Sequence, residues 1–185
     1  MNKATKRSVI DKLLKVCETS EASIIEKYAR TDFGDFFHEL TADSALVNFK
    51  TLKVVSVPDG DDEFVAEIER RDGKNGYFSS ADGWVAVPDE DLTLYKVNFD
   101  WLMQAIMAAL DIADRYKPKA VLEEYIWALG QHRIETRNTH IIVVRGLRNS
   151  TVFQELKAHL EKHHQAKTPA LVITLDPLIS EHLSL

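Results

Sequence analysis

The amino-acid sequence predicts an α+β protein. A helical N-terminal part (residues 1–49), an acidic antiparallel β meander (50–98) and a C-terminal α/β unit with a mixed sheet (99–185) are expected to pack as one globular body. Three observations predict it. Apolar residues recur at helical spacing before Phe49, and the period changes to two between Phe49 and Val97. Two continuous apolar runs, Ile141–Val144 and Ala170–Leu175, then stand one helix apart.

Val9, Ile10, Leu13, Leu14 and Cys17 form one stripe, which predicts a first helix. Thr19-Ser20-Glu21 interrupts it with capping residues. Ile24, Ile25 and Tyr28 continue on a second helix, and Asp32 caps a third that carries Phe33, Phe36, Phe37 and Leu40. Helices in series raise a helix-turn-helix, but the second offers a duplex only Lys27 and Arg30, so a helical cap on a sheet is expected. In the meander, Pro58–Asp62, Asp72–Gly76 and Asp82-Gly83 are turns between Leu52, Val54 and Val57, Phe64–Ile68, Tyr77-Phe78, Trp84–Val87 and Leu92–Val97.

Asn98 or Asp100 caps a helix over 99–116 that buries Leu102, Ile106 and Leu110, and Lys117-Pro118 ends it. Residues 120–134 fit a helix with Gly130 as its cap or a strand. The alternation of Tyr125, Trp127 and Leu129 favours a strand over 125–134, with 135–139 as hairpin loop. A strand over 140–145, a crossover helix with Thr151 at its cap and Gln154 three residues on, and a parallel strand over 170–175 follow. Residues 178–185 add a helical turn or an edge.

The 185 residues are 45% hydrophobic and 28% charged, the composition of a soluble globular protein. No apolar run spans a bilayer, and Asp11 and Lys12 interrupt any signal peptide, so no membrane partner is expected. The single cysteine, Cys17, excludes an internal disulfide and fits a reducing compartment, so a cytoplasmic address is expected. The net charge of −6 sits in residues 51–98, with 5 basic and 11 acidic side chains, which argues against a uniformly basic nucleic-acid binder.

No stretch carries a complete catalytic signature. His159 and His163 stand four apart beside Glu161 and His164, but Leu160 occupies the place of the metalloprotease glutamate. Asp32, Asp35, His38 and Glu39 are explained by the dipole of a helix start, and Asp59, Asp61, Asp62 and Glu63 by turn chemistry. Cys17 reads as core. No metal and no cofactor are therefore expected. The best functional candidate is an arginine group: Arg133, Arg137, Arg145 and Arg148 fall within sixteen residues against one acid, Glu135. Arg145 and Arg148 flank Gly146 where a strand gives way to a helix, and with Asn149, Ser150 and Thr151 they could hold a phosphate or nucleic acid at the helix start.

The order of the helix over 99–116, the hairpin strands, strand 140–145, a helix and strand 170–175 resembles the core of the restriction-endonuclease-like, PD-(D/E)xK nuclease fold, over about half the chain. That family holds a metal with an acid on one strand and an acid-x-Lys on the next. Here strand 140–145 has no acid, Glu155-Leu156-Lys157 falls on the expected helix, and Asp72-Gly73-Lys74 falls in a turn. The resemblance implies the fold without the cleavage site. The function expected is that of a non-enzymatic regulatory or adaptor protein of a microbial cytosol, working through a protein partner. The alternative is a nucleic-acid or phosphate-ligand protein using the arginine edge, with a degenerate nuclease-like fold.

Overall fold

A computed structural model describes residues 3–59, 62–113, 117–134, 136–163 and 169–175. The chain opens with α1 (Lys3–Glu18), which buries Leu13, Val16 and Cys17. The second helix expected through Ile24 and Ile25 is replaced by a strand, β1 (Ser23–Ile25), paired antiparallel with residues 94–96. The β-branched pair fits a pleated surface, and that long-range partner overrides the local helical spacing. Helices α2 (Glu26–Phe33) and α3 (Phe36–Ala42) follow, broken at Gly34 with φ 57°. Asp32 therefore lies within α2 instead of capping α3.

Strands β2 (Leu46–Thr51), β3 (Val54–Asp59), β4 (Asp62–Glu67), β5 (Glu69–Arg71), β6 (Lys74–Ser79) and β7 (Gly83–Ala86) make the meander. A helical turn, α4 (Asp89–Leu92), then separates it from β8 (Thr93–Val97). The sheets are β1-β8-β2, β3-β4 and β5-β6-β7. Asp72 and Gly73 join β5 to β6 with φ of 50° and 78°, the left-handed pair that a two-residue hairpin turn requires. Gly76 is required for a different reason: a Cβ there would meet the Trp84 ring at 2.7 Å and the Val85 carbonyl closer still.

Asn98 caps α5 (Phe99–Ala109), its Oδ1 accepting from the amides of Asp100 and Trp101. The helix stops earlier than expected, at Leu110, with Asp111 at φ 54°. Residues 114–116 of the expected helix lie outside the described residues. The buried face is Phe99, Leu102, Met103 and Met107, while Ile106 and Leu110 are only half-buried. The stripe is thus rotated towards the methionines, whose unbranched side chains fill irregular gaps.

Strands β9 (Lys119–Leu122), β10 (Ile126–Ile134) and β11 (Arg137–Val144) run antiparallel in order. The hairpin is tighter than expected, with strand pairing reaching Ile134↔Arg137. After α6 (Ser150–His163), β12 (Ala170–Thr174) pairs parallel with β11, His140↔Ala170 through Val144↔Thr174. The sheet order is β12-β11-β10-β9. One face packs Ile126, Ile142 and Val144 against Val152 and Leu156 of α6. On the other face the Trp127 ring lies 4.8 Å from that of Phe99 on α5. Because β11 is covered on both faces, Ile141–Val144 is apolar at every position.

The structure is therefore α+β. Its contacts form two compact units, residues 1–22 with 97–185, and residues 23–96. This grouping differs from the three stretches suggested by the sequence, because β1 pairs with β8 and α1 belongs with the C-terminal sheet. Among the described residues, no helix is long and apolar enough to cross a membrane. The element expected at 178–185 lies outside the described residues.

Candidate functional site

The structure splits the arginine group into three places. Arg145 follows the last residue of β11 and is only 4% exposed. Its Nε donates to the Cys17 carbonyl, Nη1 to that of Glu124 at 3.3 Å, and Nη2 to those of Thr19 and, at 2.9 Å, Ser20. The guanidinium also lies over the rings of Phe99 (5.6 Å) and Tyr125 (5.3 Å). Carbonyls at the C-terminal end of α1 carry the negative pole of that helix, and ring faces are negative as well, so this pocket solvates a cation without water. Arg145 is a buried structural cation with four N–H···O=C bonds to backbone carbonyls, not an anion-binding residue at an open edge.

The beginning of α6 is also different from the expectation. Asn149 is the cap: its Oδ1 accepts from the Thr151 amide at 2.9 Å, and its carbonyl accepts from Phe153 at 3.0 Å. The Thr151 amide expected to face an anion is thus already bound. Arg148 and Ser150 remain exposed there, without Arg145 beside them. Arg133 and Arg137 stand at the other end of β11, on the hairpin tip. Arg137 and Arg145 are eight residue steps apart along the strand, roughly 26 Å at the usual rise.

Cys17 is fully buried, and burial pushes its thiol up to about 12, so it is not a nucleophile at neutral pH. Among the described residues no three His, Cys, Asp or Glu side chains group to hold a metal. The side chain of His163, and all of Gly60, Asp61 and His164, lie outside the described residues. Neither β10 nor β11 contains Asp or Glu. The triplet Glu155-Leu156-Lys157 lies on α6 with Leu156 in the core, and Asp72-Gly73-Lys74 forms the β5–β6 turn. The order of helix, hairpin, helix and strand on which the nuclease resemblance rests is present.

A site that sequence reasoning missed lies in residues 23–96. Tyr28 of α2, Val55, Val57 and Pro58 of β3, and Tyr77 of β6 line a cleft of about 250 Å³, with Lys27 and Asp91 beside them. The Lys27 ammonium stands 3.0 Å from each Asp91 oxygen, and this hydrogen bond holds the lysine pKa above its usual value. Its geometry serves Oδ2 only: Oδ1 is buried and has the ammonium's charge nearby but, among the described residues, no hydrogen-bond donor. Phe64 packs edge-on against Tyr77 at 6.4 Å. Large apolar side chains continue on the same unit, with Val65 70%, Phe78 67% and Tyr28 59% exposed.

The signal for this surface was in the sequence. Phe64-Val65, Tyr77-Phe78 and Trp84-Val85 are adjacent apolar pairs in strands of a small acidic meander. Alternation sends one member of each pair to each face, so one face must meet solvent or a partner. No protein-family model matches this chain, and no curated protein or solved structure matches it significantly.

Proposed function

We propose that this protein is a non-catalytic adaptor whose 23–96 unit binds an extended, basic segment of a partner protein in the Tyr28–Tyr77 cleft. The observation that carries the reading is the coincidence of exposed apolar side chains with a strong negative charge. Residues 23–96 hold 8 basic and 16 acidic side chains, against 15 and 13 in the rest of the chain. Apolar surface supplies affinity, and the acids select and steer a cationic partner. Aromatic-lined grooves on small β units suit extended peptides, which present side chains without needing to fold.

The test is selection of random displayed peptides on the full chain. Enriched sequences should combine apolar residues with net positive charge, and Tyr28→Ala with Tyr77→Ala should lower their affinity at least tenfold. Neutral or acidic enriched peptides, or affinity unaffected by the double substitution, would overturn the reading.

A further inference from the structure

We infer that the free end of the β10–β11 hairpin is a two-stranded arm that enters the groove of double-stranded DNA. This is a second interaction surface, on the other unit, and does not depend on the peptide cleft. Pairing with β9 stops at Lys119↔Ala128, and pairing with β12 begins at His140↔Ala170. Beyond Gln131↔His140, the pairs His132↔Thr139, Arg133↔Asn138 and Ile134↔Arg137 have no third strand among the described residues. Thr139 is buried, so the first of these pairs is covered on one face, and the last two, with Arg133, Ile134, Arg137 and Asn138 exposed, project about 7 Å at the usual strand rise.

The chemistry of the arm is that of base and phosphate recognition. Gln131, Arg133, Asn138 and His140 share one face, with Gln131 Nε2 held 2.8 Å from His140 Nε2. Arginine reads guanine, and asparagine and glutamine read adenine, through paired hydrogen bonds in the major groove. Arg137 and exposed Ile134 occupy the opposite face, so the arm presents a cation to each side. Arg133 and Arg137 make no ion pair among the described residues, and the tip's one acid in sequence is Glu135.

Groove dimensions select the nucleic acid. The major groove of B-form DNA, about 12 Å wide, admits a two-stranded ribbon. The corresponding groove of A-form RNA is too narrow for side chains to read. The net charge of the chain does not forbid the contact, because salt screens charges beyond about 10 Å.

The experiment is fluorescence-anisotropy titration of the full chain into labelled DNA duplexes of varied sequence, at about 50 and 200 mM salt. Duplex binding should appear at the lower salt and weaken steeply at the higher. Arg133→Ala and Arg137→Ala should each reduce the slope of log affinity against log salt by about one. Asn138→Ala should keep that slope and flatten the preference among duplexes. Arg148→Ala, at the other end of the sheet, should change neither. These side chains are exposed, so circular dichroism should match the parent. No duplex binding at about 50 mM salt would overturn the inference, as would tighter binding to RNA or single strands, or an affinity indifferent to both arginine substitutions.

Discussion

The Arg145 guanidinium closes on the carbonyl of Cys17, 128 residues earlier in the chain, and so ties the end of β11 to the end of α1. Thr19, Ser20 and Glu124 carbonyls complete its shell. Arg145→Ala should therefore destabilise the protein, since each buried carbonyl left without its donor costs about 1–3 kcal/mol. Arg145→Lys should recover only part of this, since three ammonium donors cannot reproduce a planar fork that serves carbonyls on both sides. Urea denaturation of the three proteins measures it. Equal stability of parent and alanine variant would contradict the buried network.

Cys17 makes an alkaline prediction. Its thiol titrates near 9.0 when unfolded and near 12 in the fold, where desolvation opposes the thiolate and the nearby Arg145 offsets only part of that. Above pH 9 the unfolded chain loses this proton and the folded chain keeps it. Stability from this group is thus intact below pH 9 and falls by about 1.4 kcal/mol per pH unit between 9 and 12. Cys17→Ser should flatten that slope, and a thiol reagent should label Cys17 only as the protein unfolds.

The start of α6 offers a paired test. Asn149→Ala removes the cap and should cost about 0.5–2 kcal/mol. Thr151→Ala, at an exposed position past the cap, should stay within about 0.5 kcal/mol. Thermal melts that reverse this ranking would return the cap to Thr151.

In α5, Met103 is fully buried and Ile106 only half-buried. Met103→Ala should cost about 2–5 kcal/mol and Ile106→Ala distinctly less. Denaturant midpoints for the two variants decide which stripe faces the core.

In the 23–96 unit, Gly76→Ala drives a methyl into the Trp84 ring and the Val85 carbonyl. A loss of about 1–3 kcal/mol is expected, the usual cost of overpacking. Peptides selected on the cleft should bind this variant less well, because Tyr77 is the next residue of β6. An unchanged melting temperature would show that Trp84 does not lie over Gly76.

The sequence by itself determined the features that depend on neighbours a few residues apart. Ile141–Val144 and Ala170–Thr174 are strands because continuous apolar runs tolerate burial on both faces, and α6 between them makes their pairing parallel. Asn98 capped α5, and Asp72-Gly73 turned a hairpin, because both act on adjacent backbone. Tertiary structure decided everything that required a distant partner. Ile24-Ile25 became a strand only because β8 lay beside it, and the α5 stripe settled on Met103 and Met107 instead of Ile106 and Leu110. Four arginines within sixteen residues look alike in sequence. One lies inside the fold because carbonyls from residues 17–20 solvate it, one marks a helix start, and two stand on a projecting hairpin. Sequence spacing measures distance along the chain, whereas an extended strand carried Arg137 and Arg145 to opposite ends of the sheet.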